Sequence, residues 1–140
     1  MAFWLLKTEP ATFSWADQLS RGKAGEPWTG VRNHQAKLNL KRMKKGDLAF
    51  FYHSVEEKRV VGIVEIIREA FPDPTADAGA PWVAVQVTAR AALKIPVTLG
   101  AVKAVPALKD MMLVKHTRLS VQPVSDAEWR AISRMGGVAG

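Results

Sequence analysis

The chain has 140 residues, 48% of them apolar and 24% charged, which suits one folded domain around a single hydrophobic core and excludes a disordered tail. It contains no cysteine, so disulfides, thiolate metal sites and a cysteine nucleophile are excluded, and a reducing, cytoplasmic setting is expected. Against 13 acidic residues stand 20 basic ones, a net charge of +7, and between Glu26 and Asp47 there is no acid while Arg32, Lys37, Lys41, Arg42, Lys44 and Lys45 all fall there.

Phe3 to Lys7 reads as a first strand, ended at Glu9-Pro10 because a residue before proline avoids the helical region. Ser14 is placed to cap a short helix with Trp15 and Leu19 on one side, stopped at Gly22, and residues 22–30 read as a loop that carries Trp28. Asn33 caps a second helix through Met43, with Ala36, Leu40 and Met43 at helical spacing and Lys37, Lys41 and Lys44 on the other face. Lys45-Gly46-Asp47 is a turn, where an aspartate ordinarily bonds back to the main chain. Leu48–His53 and Arg59–Arg68 read as a hairpin, and Gly62 inside it marks a bulge or a close approach to the backbone.

Residues 72–81 read as a surface loop, after which Val83, Val85 and Val87 alternate in a strand from Trp82 to Thr88. Short helical pieces are predicted around Leu99–Lys103 and Pro106–Met111. A last strand follows at Leu119–Val124, opened by Arg118-Leu119-Ser120. Ser125 and Glu128 form a capping box for a closing helix over Asp126–Met135. Trp4, Trp82 and Trp129 are read as core residues. Strands dominate the middle and helices the flanks, so the fold class is α+β, built on a strongly curved sheet or small barrel of five or six strands.

No phosphate-cradling glycine loop, glycine-flanked serine or metal-spaced histidine pair is present, so neither catalytic nor metal-binding residues nor a cofactor is assigned. No apolar run approaches the length of a membrane span, and no leader-like start is visible, so no membrane partner is expected. The basic stretch is either a solvated helix face or a surface for a polyanion. Where apolar strands end, polar groups gather: Lys7 and Thr8, then Tyr52, His53 and Ser54, then Arg118 and Ser120. Trp28, followed by Thr29, Gly30, Arg32 and Asn33, combines a stacking face with hydrogen-bonding groups. Each has an ordinary structural alternative: a core tryptophan for Trp28, a satisfied core phenol for Tyr52, an ion pair for Arg118.

Trp4-Leu5-Leu6-Lys7-Thr8-Glu9-Pro10, Trp28 with Gly30-Val31-Arg32-Asn33 and Gln35-Ala36, Gly46-Asp47 with Phe51-Tyr52-His53-Ser54, Gly62-Ile63, and Arg118-Leu119-Ser120-Val121-Gln122-Pro123 occur here in one order. Together they resemble the EVE domain family of the PUA-like superfamily, over nearly the whole chain, and more distantly the YTH domain. The resemblance implies a small, partly open β-barrel of five or six strands with flanking helices. It also implies a non-catalytic module that binds DNA or RNA carrying a modified base. Lys7, Thr8 and Trp28 match a YTH-like base pocket by position, and the EVE pattern adds Asn33, Tyr52, His53 and Ser54. With Arg32, Arg118 and Ser120 these form the expected pocket, and Lys37, Lys41, Lys44 and Lys45 the expected phosphate surface. A monomer is expected. The rival readings are a sensor of a free nucleotide or metabolite and a hydrolase on the same scaffold.

Overall fold

A computed structural model describes residues 1–138. In chain order the elements are β1 (Phe3–Thr8), α1 (Trp15–Ser20), a 3-10 turn (Gly22–Ala24), β2 (Glu26–Pro27), α2 (His34–Arg42), β3 (Leu48–His53), β4 (Arg59–Pro72), β5 (Val83–Thr98), α3 (Leu99–Lys103), a second 3-10 turn (Pro106–Leu108), α4 (Met112–Lys115), β6 (Val121–Val124) and α5 (Asp126–Met135). The strands form one six-stranded sheet in the order β2-β5-β4-β3-β1-β6. β1 runs parallel to β3 and the other pairs are antiparallel, so the sheet is mixed, and β2 and β6 remain as edges of an open, α+β architecture.

The fully apolar run in β3 dictates the layering. Phe51 belongs to one apolar cluster, with Trp4, Leu6, Leu40, Met43, Val64 and Val87, while Phe50 and Tyr52 belong to a second, with Leu5, Ile63, Leu113, Trp129 and Ile132. Successive strand residues point to opposite faces, so a strand apolar at every position must be covered on both. The expectation of a single core is corrected accordingly: the sheet separates two. α2 closes the first, and α5 closes the second through Trp129, whose ring stacks on Phe50 at 3.9 Å and on Phe3 at 4.4 Å.

β4 and β5 pair along most of their length but shift register at several points, including between Val60 and Gly62. Such bulges bend a strand and raise its local twist. At Gly62 the close approach expected from sequence is the Trp15 ring, which a Cβ there would meet at 2.5 Å. Asp47 bonds to the main chain as expected. It accepts from the Lys44 N–H at 2.9 Å and the Ala2 N–H at 3.1 Å, and also from Trp4 Nε1 at 3.0 Å. Burial alone would raise its carboxyl pKa, but these donors lower it.

Several expectations need correction. On α1 the buried partner of Trp15 is Gln18, whereas Leu19 is 53% exposed. β5 runs ten residues beyond Thr88, to Thr98, because pairing with β4 continues through a stretch that is not strand-like in composition. The short β2 was read as loop, and α4 was not anticipated. The last strand begins at Val121, leaving Arg118 exposed in a turn. Trp82 lies just before β5 and is only partly buried, so it is not a core tryptophan.

Candidate nucleic-acid interface

β1 leaves the sheet at Thr8, and the Glu9 carbonyl accepts from the N–H groups of Thr12 and Phe13, both at 2.9 Å. That turn folds Phe13 back over the sheet, and Thr8 Oγ1 locks it by donating to the Phe13 carbonyl at 3.0 Å. Ser14 then caps α1 with a reciprocal box involving Asp17. On the other side β2 pairs with β5, and the Trp28 N–H donates to the Val85 carbonyl at 2.7 Å.

These two segments set Phe13 and Trp28 nearly perpendicular, with ring centres 6.2 Å apart at 87°. Phe51 braces Trp28 from below at 5.5 Å. Between them opens a cavity of about 310 Å³ lined by Lys7, Thr8, Thr12, Phe13, Arg21, Glu26, Pro27, Trp28 and Thr29. Its rim is polar. Arg21 Nε pairs with Glu26 Oε1 at 2.8 Å, and the Arg21 guanidinium lies 5.4 Å from the Phe13 ring centre. A hollow between Leu19, Ile67 and Thr88 is roomier, about 370 Å³, but has no aromatic wall.

The fold brings together Lys7, Thr8 and Trp28 from the expected set. Lys7 borders the cavity, but its side chain leaves on the opposite face of β1: Nζ donates to the Thr117 carbonyl at 2.9 Å and lies 5.9 Å from the Tyr52 ring. Burial lowers its pKa. Trp28 is both core and wall, 7% exposed and packed into the first cluster, so its place in the expected loop does not keep it out of the core.

The remaining expected pocket residues lie outside the cavity lining. Arg32 Nη1 pairs with Asp73 Oδ2 at 3.0 Å. Asn33 caps α2, its Oδ1 accepting from the Ala36 N–H at 2.9 Å. Tyr52 is in the second core, and burial pushes its phenol up to about 12. His53 Nε2 accepts the Trp15 N–H at 3.0 Å, so the proton sits on Nδ1, which donates to Glu57 at 2.8 Å. Ser54 donates its N–H to the Thr8 carbonyl at 2.9 Å, and the Ser120 carbonyl accepts from the Lys7 N–H at the same distance. Arg118 lines a separate shallow groove with Asn33, Gln35, His116 and Thr117.

Of the expected phosphate residues, Lys41, Lys44 and Lys45 are exposed and Lys37 is partly buried, on and just after α2. The sequence reading missed Phe13, Arg21 and Glu26. Phe13 was findable: it directly precedes the helix cap Ser14, where an apolar residue commonly packs back to fix the chain's entry. Among the described residues, no three of His, Asp and Glu come together as a metal site, and no helix is long and apolar enough to cross a membrane.

Residues 2–135 match the EVE domain family, and the chain belongs to it. It is 36% identical to chicken thymocyte nuclear protein 1 over 90% of its own length and 65% of that protein's, and 32% identical to the human protein, of which it spans 70%. Among solved structures, a Rhodopseudomonas palustris protein is 58% identical at a TM-score of 0.93, covering 98% of this chain and 94% of that one. Human thymocyte nuclear protein 1, in complex with DNA containing 5-methylcytosine, is 30% identical at a TM-score of 0.90 over the whole of both chains. The YTH domain of a Zygosaccharomyces rouxii protein, at 16% identity and a TM-score of 0.59 over 96% of this chain and 86% of its own, shares the fold. The vertebrate relatives are by name nuclear proteins, which overturns the cytoplasmic expectation. Lack of cysteine fits any reducing compartment, the nucleus included, and so cannot single out the cytoplasm.

Proposed function

We propose that this EVE domain binds DNA and reads a modified base in it, with 5-methylcytosine as the favoured base, acting as a single non-catalytic, cofactor-free monomer. The observation that carries the reading is the perpendicular Phe13–Trp28 pair around a polar-rimmed cavity of about 310 Å³. Pockets for small planar ligands begin at roughly this size, about 300 Å³. Further support comes from the solved human relative, which holds DNA containing 5-methylcytosine.

The chemistry is self-consistent. An extruded base loses stacking worth a few kcal/mol and regains about 1–3 kcal/mol from one aromatic wall. Cytosine offers its exocyclic amine to an acceptor, and its ring N3 and carbonyl O2 to donors. Glu26 and Arg21, side by side at the rim, supply one of each. Burying the 5-methyl adds about 0.8 kcal/mol against an unmodified base. Lys37, Lys41, Lys44 and Lys45 hold phosphates and raise affinity without reading sequence.

The test is equilibrium binding to matched duplexes with and without 5-methylcytosine, and to free 5-methyl-deoxycytidine monophosphate, across a salt series. Four phosphate contacts should give log K a slope near −3.6 against log salt, about −0.9 per phosphate. Tight, salt-insensitive binding of the free nucleotide would instead favour a small-molecule sensor.

A further inference from the structure

Trp82, expected in the core, stands at the surface in a cluster that the base cavity does not use. His34 tilts across it with ring centres 4.9 Å apart at 33°. The Arg32 guanidinium and the Lys37 ammonium each lie 5.8 Å from its ring centre. Lys37 Nζ is also 3.3 Å from His34 Nδ1. One aromatic face is thus surrounded by three nitrogen-bearing side chains, all from the acid-free segment of the chain.

The cluster is built, not incidental. Arg32 is anchored by Asp73, whose side chain is fully buried and which also accepts the Gly30 N–H at 2.9 Å. The Asp73 N–H donates to the Trp82 carbonyl at 3.0 Å, tying the same loop to the aromatic. The cluster also adjoins the base cavity along β5: Trp28 bonds to Val85, three residues beyond Trp82. Cations ranged about an aromatic match a nucleic-acid strand, whose phosphates need donors and whose sugars and bases need an apolar face.

We propose that the Trp82–His34–Arg32–Lys37 cluster is a second DNA contact, holding the backbone and sugar of the strand that flanks the extruded base. It rests on the DNA-reading function above, but it is blind to modification. Lys37 and His34 contact phosphate, Trp82 packs on the sugar or an adjacent base, and Arg32 is a positioning residue fixed by Asp73.

The test measures the affinity of Trp82→Ala, His34→Ala and Lys37→Gln for 5-methylcytosine and unmodified duplexes of one sequence, at several salt concentrations. Trp82→Ala should weaken both duplexes about tenfold, leaving the ratio between them and the salt slope unchanged. Lys37→Gln should lower the salt slope by about one. His34→Ala should weaken both duplexes several-fold. If Trp82→Ala does not fold, His34→Ala decides, since His34 is exposed and lies outside the phosphate set assigned above. Wild-type affinity in the folded variants overturns the proposal, as does a loss confined to the methylated duplex, which would place Trp82 in the base site. A wild-type protein with no preference for methylated DNA, but with equal losses in Trp82→Ala, would sustain this contact and sink the base-reading function.

Discussion

On the proposed reading Trp28 serves folding and recognition with one side chain, and Trp28→Ala should damage both. A tryptophan side chain offers roughly 150–250 Å² for burial. At 7% exposure nearly all of that is withdrawn from water, worth roughly 4–6 kcal/mol at about 25 cal/mol per Å². Edge-on contacts with Phe13 and Phe51 add to it, while partial collapse of the site takes some back, so about 4 kcal/mol is the expected loss of stability. With a urea slope of about 2 kcal/mol per molar, the midpoint should fall by about 2 M. Affinity for the methylated duplex, measured on the folded fraction at low temperature, should fall by a further 1–3 kcal/mol, roughly 5- to 150-fold. Phe13→Ala weights the binding term more heavily, because Phe13 is only partly buried. A midpoint shift below about 0.5 M would refute the core assignment. An unchanged preference for methylated DNA in both variants would remove the aromatic pair from the base site.

Gly62→Ala should destabilise by about 1–3 kcal/mol, since its Cβ would stand 2.5 Å from the rigid Trp15 ring; a midpoint within error of wild type in urea unfolding would refute that contact. Burial alone would raise the Asp73 carboxyl, but donors from Thr75, Gly30 and Arg32 bring it down to about 2, against an ordinary value of 3.8. Its folded pKa is depressed, so its contribution of about 2 kcal/mol is present above pH 3.8 and lost as pH falls toward 2. The stability gap between wild type and Asp73→Asn should therefore narrow over that window, and a gap constant with pH in urea titrations would refute it. Charge reversal at both Lys41 and Lys44 should weaken methylated and unmodified duplexes equally and flatten the salt slope by about two; wild-type binding at low salt would exclude this face as the phosphate surface.

How legible each feature was depends on the range of the interaction that fixes it. The strands β1 and β3 could be read because both are apolar runs ending in polar residues, and the cap at Asn33 because its partner is three residues away, whereas the parallel pairing of β1 with β3 joins residues about 45 apart and left no local trace. Arg32 could not be placed, because its carboxylate partner lies 41 residues on, in a loop with no pattern of its own. The second half of β5 was hidden for the same reason: Arg90, Lys94 and Pro96 argue against a strand, and only pairing with β4 overrides them. Trp82 was a different failure. It adjoins a strand pattern, which argues for the core, but the paired strand starts one residue later, at Val83, so the pattern does not reach it.

The same distinction explains why the cavity stands where it does. Phe13 and Trp28 come from the two segments that leave the sheet beside each other, the exit of β1 and the edge strand β2, yet both rings rest on the first core. A reader that must recover the cost of an extruded base gains nothing from a wall that has to be ordered on binding. Trp28, held by Phe51 below and by the Val85 carbonyl at its backbone, is ordered before any ligand arrives. Arg21 and Glu26 are not: their pair is partly exposed, with side-chain accessibilities of 44% and 29%, so it can open to exchange its internal contact for a base edge. On the proposed reading, rigid stacking surfaces set on a core, with adjustable polar groups at the rim, would give shape selection to the aromatics and chemical selection to the ion pair. Replacing Glu26 by Gln should therefore alter which base is preferred while leaving the urea midpoint nearly unchanged, because an exposed pair contributes at most about 1 kcal/mol. A fall in stability with an unaltered preference would place that pair in the scaffold and not in the site.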